Sequence, residues 1–131
     1  MGEDGRVDVL VCDDEAILRE LLREALAAEG LSVVAAADGD EGLRLGRERR
    51  PRVMITDLGL PGLDGWELAR ELKGLDPALS VVVCTGWRVS VSPAELAAAG
   101  VDEVVAKPFD VAWLAARIRD RCAGASAAGG A

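Results

Sequence analysis

Val53-Met54-Ile55-Thr56-Asp57, running on into Leu58-Gly59-Leu60-Pro61-Gly62-Leu63-Asp64-Gly65, is the stretch from which the fold is read. Four apolar or β-branched residues make a run of the right length for a buried strand, and a carboxylate stands where the run stops. A Gly/Pro-rich segment then turns the chain away. In an open α/β sheet, ligands gather outside the carboxyl ends of the strands, which is where Asp57 falls. An Asp after a strand is also an ordinary turn former or helix cap, so its meaning depends on what else reaches the same edge.

Working outward, the same alternation repeats. Val7 to Cys12 reads as a first strand ending at Asp13-Asp14-Glu15. Ala16 to Glu29 sets Ile17, Leu18, Leu21, Leu22, Ala25 and Leu26 along one wide helical face, with Gly30 as the stop. Leu31 to Ala36 is a second strand, and a helix follows to about Arg49, opened by Asp38 and Glu41 at capping spacing. Asp64 and Glu67 repeat that spacing ahead of a helix through Lys73. Ser80 to Thr85 is a fourth strand, and Ser92-Pro93-Ala94-Glu95 starts a helix that ends at Gly100. Glu103 to Ala106 is a fifth strand, and Asp110 caps a last helix to about Cys122. On that helix Val111, Leu114, Ala115, Ile118 and Cys122 share one arc, with Trp113 almost opposite. Residues 1–6 are expected to be flexible, 7–122 to form one domain, and the Ala/Gly/Ser tail 123–131 to be disordered. Five strands alternating with five helices predict an α/β three-layer sandwich, a parallel sheet with right-handed crossovers and helices on both faces.

Composition narrows the function. The 131 residues are 50% hydrophobic and 29% charged, enough for one domain with a real core, and only 3% aromatic, so that core is aliphatic. A formal charge of -8 argues against nonspecific binding to nucleic acid or anionic membrane, each of which needs a cationic face. The absence of His removes His metal sites, His-dependent triads and a phosphohistidine on this chain. Cys12, Cys84 and Cys122 are scattered among apolar residues, as buried thiols in a reducing compartment rather than a disulfide framework. With no signal peptide and no apolar run near ~20 residues, a soluble cytoplasmic domain is expected.

The topology brings four strand ends to one edge: Asp13-Asp14, Asp57, Thr85 and Lys107. Crowded carboxylates repel, at roughly 4 kcal/mol for a pair ~4 Å apart and an effective dielectric of ~20. Such a cluster persists when a hard divalent cation neutralises it, and oxygen-only ligands with water suit Mg²⁺. A lysine and a hydroxyl facing a carboxylate–Mg²⁺ cluster are what a phosphoryl group needs, and the carboxylate itself can be the nucleophile. Asp64 is left as a helix cap. Capping can explain Asp13-Asp14 as well, but gives no reason for Lys107 to end a strand beside Asp57.

These residues carry a resemblance. Val9-Leu10-Val11-Cys12-Asp13-Asp14-Glu15, the segment from Asp57 to Gly65, Thr85-Gly86-Trp87 and Ala106-Lys107-Pro108-Phe109 together resemble the receiver domain of two-component response regulators, over about Val7 to Cys122. The resemblance implies a flavodoxin-like sheet in the order 2-1-3-4-5. It implies that Asp57 accepts phosphate from the phosphohistidine of a sensor histidine kinase or phosphotransfer protein. Asp14, Asp57 and the Gly59 carbonyl would ligate Mg²⁺, with Asp13 acting mostly through water. Thr85 and Lys107 would hold the phosphoryl oxygens, across a cis Lys107–Pro108 peptide. The face of the fourth helix, fifth strand and fifth helix would serve a homodimer or an effector; Trp113, opposite the apolar arc of the last helix, either anchors that contact or lies over neighbouring side chains.

The sequence departs from the family's pattern in places. The position three before the lysine, commonly Tyr or Phe, is Val104, so the usual aromatic switch is absent. Leu60 replaces a frequent Met, a swap of little consequence. Trp87, two after Thr85, is placed to cover the site, to anchor a partner or to lie on its own loop. Three function classes follow. A phosphorylation switch, not an enzyme turning over a free substrate, is favoured. A phosphatase with an aspartyl intermediate usually needs a second acid two residues after the nucleophile, where Gly59 stands. A degenerate receiver kept as an interaction module usually lacks the acceptor, the acidic pair or the lysine, and all are present. The nine residues after Cys122 are expected to be too few for a DNA-binding or catalytic output domain, which fits a stand-alone receiver or the receiver fragment of a hybrid kinase or longer regulator.

Overall fold

Short β-branched and aliphatic runs flanked by turn residues become strands, and the longer periodic segments between them become helices. The computed structural model describes residues 5–86 and 92–130. The order is β1 (Val9–Cys12), α1 (Ala16–Ala28), β2 (Val33–Ala36), α2 (Gly39–Arg49), β3 (Val53–Thr56), α3 (Gly65–Leu75), β4 (Ser80–Thr85), α4 (Pro93–Ala99), β5 (Glu103–Ala106) and α5 (Val111–Gly130). The five strands are all parallel, in the order β2-β1-β3-β4-β5. The flavodoxin-like α/β sandwich read from the sequence is the fold observed.

Alternation along each strand sorts the core into two halves. Val9, Val11, Val53, Ile55, Val82, Cys84 and Val105 face Leu22 and Leu26 of α1 and Leu114, Ala115 and Ile118 of α5. Leu10, Cys12, Met54, Val81 and Val83 face the other way, against Leu68, Ala69 and Leu72 of α3. Both faces of β1 and β3 are therefore buried, as a central parallel strand requires. The expected helix starts are made by side-chain caps: Asp38 accepts from the Glu41 N–H at 2.8 Å, Asp64 from Glu67 at 2.9 Å and Ser92 from Glu95 at 3.1 Å. Asp110 likewise accepts from Trp113 N–H at 2.9 Å.

Differences from the sequence reading lie at element edges. Val7 is buried but outside the β1 ladder, its N–H bonded to the Arg49 carbonyl at 3.0 Å. Leu31 closes the end of α1 through a bond to the Leu26 carbonyl rather than opening β2. The apolar face of α1 is wider than its buried stripe: Leu22 and Leu26 are buried, while Ile17 and Leu21 are 79% and 47% exposed. The backbone of α5 stays helical to Gly130, past the expected end at Cys122. The expected arc on α5 is the buried one, with Leu114, Ala115, Ile118 and Cys122 in the core and Trp113 half exposed. Among the described residues, no helix is long and apolar enough to cross a membrane.

Candidate functional site

Three ladders run one residue past their strands and fix the backbone of the site. Asp13 N–H reaches the Ala36 carbonyl at 3.1 Å, Asp57 N–H the Cys12 carbonyl at 3.0 Å, and Lys107 N–H the Thr85 carbonyl at 3.0 Å. Because all strands are parallel, these bonds place Asp13, Asp57, Thr85 and Lys107 on one edge of the sheet. Behind Asp57, the Gly65 N–H bonds the Leu58 carbonyl at 3.0 Å, folding the turn so tightly that α3 begins against the Asp57 backbone. A Cβ on Gly65 would sit 2.3 Å from the Asp57 carbonyl oxygen, closer than van der Waals contact permits.

The side chains of Asp13, Asp14, Asp57 and Lys107 converge at this edge. Lys107 Nζ donates to Asp57 Oδ2 at 2.7 Å and to Asp13 Oδ2 at 2.8 Å. Asp13, Asp57 and Thr85 are all buried, at 3%, 9% and 7% exposure, whereas Asp14 is exposed. Carboxylate oxygens of Asp13, Asp14 and Asp57 lie within 4.8 Å of one another, an all-oxygen set of the hardness a divalent cation such as Mg²⁺ takes. Gly59 donates its N–H to Asp57 Oδ1 at 3.1 Å and is itself exposed. The Lys107–Pro108 peptide is cis. Burial alone would lower the pKa of Lys107, but its hydrogen bonds to Asp13 and Asp57 outweigh that and hold it above the ordinary lysine value.

Capping does not account for the acidic pair. The residue at the N-cap of α1 is Glu15, which makes no side-chain cap bond, while Asp13 Oδ1 accepts from the Glu15 N–H at 2.9 Å. Asp64, by contrast, is the α3 cap it was expected to be. Two neighbours were not singled out from sequence. Glu15 Oε1 stands 3.9 Å from Lys107 Nζ, and Arg19 Nη1 donates to the Asp13 carbonyl at 2.8 Å, steadying the loop that carries the acidic pair. The signal for both was their place at the start of α1, Glu15 at its N-cap and Arg19 in its first turn. A surface cavity of about 440 Å³ opens beside Lys107, lined by Glu15, Leu18, Gly86, Pro108 and Phe109. Trp87 lies outside the described residues.

Away from the strand ends, Val104 is 43% exposed on β5, and Trp113 is 50% exposed on α5. The Arg117 guanidinium sits 5.6 Å from the Trp113 ring centroid, and Arg117 also pairs with Glu103. Trp113 is therefore partly covered by its own helix while keeping half its surface open.

Known proteins resemble this chain in sequence and fold. The family model of the response regulator receiver domain matches residues 9–119. The chain is 40% identical over 114 residues to the response regulator MprA of Mycobacterium tuberculosis, covering 86% of this chain and 49% of that protein. MprA of Mycolicibacterium vanbaalenii matches equally, at 40% identity over 86% of this chain and 49% of the relative. The chain thus spans about half the length of the curated relatives it matches. A CheY-like receiver from Methanospirillum hungatei superposes with a TM-score of 0.84 at 24% identity, covering 92% of this chain and 97% of that one, a likeness of fold. A receiver from Clostridium thermocellum gives 0.80 at 28% identity, over 90% and 95% of the two chains.

Proposed function

The chain belongs to the response regulator receiver family, and on that premise we propose that it is a Mg²⁺-dependent switch in which Asp57 takes phosphate from a sensor histidine kinase or phosphotransfer protein. The observation that carries this reading is Lys107 Nζ bonded at once to Asp57 and Asp13, at the mouth of three convergent carboxylates. A structural ion pair needs one partner. A lysine shared between two buried acids is placed to hold the oxygens of a group added to one of them.

In the step itself, an Asp57 carboxylate oxygen attacks phosphorus on the donor's phosphohistidine. The new O–P bond forms as the P–N bond breaks, and the electron pair stays on the imidazole nitrogen. Lys107 and the Thr85 hydroxyl hold phosphoryl oxygens, while the cavity beside Lys107 leaves room for the donor ring. Asp14, Asp57 and the Gly59 carbonyl would hold Mg²⁺, with Asp13 acting through water. When bound, the cation neutralises the carboxylates and the charge that builds on the phosphoryl oxygens. The chain undergoes this chemistry itself, as a signalling protein of the cytoplasm, rather than turning over a free substrate. The α4–β5–α5 face, with Val104 and Trp113 exposed, is the surface for a second copy or an effector.

Incubation with acetyl phosphate and Mg²⁺, followed by intact mass measurement, tests the proposal. Wild type gains one phosphate and Asp57→Asn none. An adduct that survives Asp57→Asn, or forms equally in EDTA, overturns it.

A further inference from the structure

The opposite edge of the sheet holds a second concave surface that the phosphorylation chemistry does not use. Where α2 and α3 end and β3 and β4 begin, Gly46, Arg47, Arg50, Pro51, Leu72, Leu75, Asp76 and Leu79 enclose a cavity of about 300 Å³. Its floor is apolar: Leu72 and Leu79 are buried, and Gly46 contributes no side chain. Leu75 stands at its edge, 60% exposed, a large apolar side chain that the core does not need.

The rim is cationic. Residues 44–52 hold five arginines, in a chain whose net charge is -8. Most are engaged: Arg44 pairs with Glu48 at 3.2 Å, Arg52 with Asp8 at 3.6 Å, and Arg49 Nε donates to the Gly5 carbonyl at 3.2 Å. The one acid in the cavity wall, Asp76, is taken by Arg6 at 3.5 Å. That leaves the two arginines that line the cavity. Arg47 is held only at 3.9 Å from Glu71, both side chains more than half exposed. The exposed Arg50 side chain makes no ion pair or hydrogen bond among the described residues, although Arg50 itself sits in the left-handed region at φ 43. Its backbone is pinned there, N–H to the Gly46 carbonyl at 3.1 Å and carbonyl to Arg6 Nε at 2.8 Å. Complementing the α2 macrodipole accounts for Arg47 and Arg49 in its last turn. It accounts neither for Arg50, beyond that turn, nor for an exposed leucine beside them.

We propose that this cavity docks an acidic peptide segment of a partner protein, one apolar side chain seated against Leu72, Leu75 and Leu79 and flanking carboxylates held by Arg47 and Arg50. An apolar pocket with a few fixed polar groups at its rim is the usual form of such a site, and Arg is the usual carboxylate ligand. Lying at the strand ends opposite Asp57, the cavity leaves the phosphoacceptor edge open, so the two partners can be engaged together.

The test is amide chemical-shift mapping on the ¹⁵N-labelled chain with the peptide acetyl-Glu-Leu-Asp-Leu-Glu-amide, and with a control in which lysines replace the acids. Saturable shifts at Gly46, Arg50, Leu72, Leu75 and Leu79 are expected with the acidic peptide only. Arg47→Gln and Arg50→Gln should each weaken binding about tenfold, the loss of one charge-assisted hydrogen bond. Leu75→Ser, at an exposed position, should weaken it too. Arg50→Gly, which suits the left-handed backbone, guards against a folding defect in Arg50→Gln. Equal binding of the lysine peptide, shifts confined to other surfaces, no saturable binding, or undiminished affinity in Arg50→Gly each overturn the proposal. Sedimentation showing a dimer that Leu75→Ser disperses would give the cavity to a second copy and overturn it as well.

Discussion

Replacing Lys107 by Met asks how much of the site's stability rests on one ammonium. Lys107 Nζ lies 2.7 Å and 2.8 Å from two carboxylates, and the side chains involved are 12% exposed for Lys107, 12% for Asp57 and 4% for Asp13. Screening by solvent is therefore slight, and these contacts do not behave like surface ion pairs. Without the lysine, Asp13 and Asp57 face each other within 4.8 Å. At that separation two unit charges repel by about 3 kcal/mol at an effective dielectric of ~20. Removing one partner from a buried pair costs roughly 3–5 kcal/mol, so Lys107→Met should lose about that much in EDTA. Mg²⁺ should restore part of the loss by neutralising the same carboxylates, and adding Asp57→Asn should restore about 2–3 kcal/mol by removing one of the charges. Urea unfolding followed by far-ultraviolet circular dichroism, with and without Mg²⁺, measures all three effects. Lys107→Met as stable as wild type within ~0.5 kcal/mol, or a loss undiminished in the double variant, would refute the electrostatic reasoning.

Four further outcomes follow from the same structure. Isothermal titration should show Mg²⁺ binding sharply weakened in Asp14→Ala and unchanged in Asp64→Asn, since only Asp14 stands in the carboxylate cluster and Asp64 caps α3. Gly65→Ala should destabilise the chain by about 2 kcal/mol or more, because its Cβ meets the Asp57 carbonyl at 2.3 Å, while Gly59→Ala, with nothing within 4 Å, should stay within ~0.5 kcal/mol in the same unfolding assay. Burial pushes the Cys84 thiol up to about 12 and the Cys122 thiol up to about 11, and raises Cys12 further, so Ellman's reagent should label the native chain far more slowly than the unfolded one. Burial would raise the Glu103 carboxyl, but hydrogen bonds from Arg121 and Arg117 overcome it and lower the pKa. Its contribution is present above the ordinary value of ~4.3 and lost as pH falls through the lowered one, so Glu103→Gln should show a shallower acid-induced fall in Tm than wild type.

Capping boxes and strand-end positions made most of the fold legible. Asp38, Asp64 and Ser92 each declare a helix start by a local rule, and the bonds they make are local ones. The site was legible for a related reason: a parallel sheet brings the ends of β1, β3, β4 and β5 to one edge, so Asp13, Asp57, Thr85 and Lys107 could be assembled without coordinates. Periodicity reads amphipathicity but not the width of what covers a helix. Ile17 and Leu21 carry the apolar pattern of α1, yet α5 shields only the stripe of Leu22 and Leu26. The left-handed backbone at Arg50 was not readable, because the contact that pins its carbonyl comes from Arg6, 44 positions away. The cavity beside it depends on the ends of α2 and α3 meeting, which no single stretch of sequence encodes.

The central claim is that Asp57, and no neighbouring carboxylate, becomes the acyl phosphate. Borohydride reduces an acyl phosphate to an alcohol, so treating the phosphorylated chain and mapping its peptides by mass spectrometry identifies the residue directly. The expected product is homoserine at Asp57 alone, formed only when phosphodonor and Mg²⁺ are both present. Homoserine at Asp13 or Asp14, or none anywhere after a phosphate adduct has been seen on the intact chain, would contradict it.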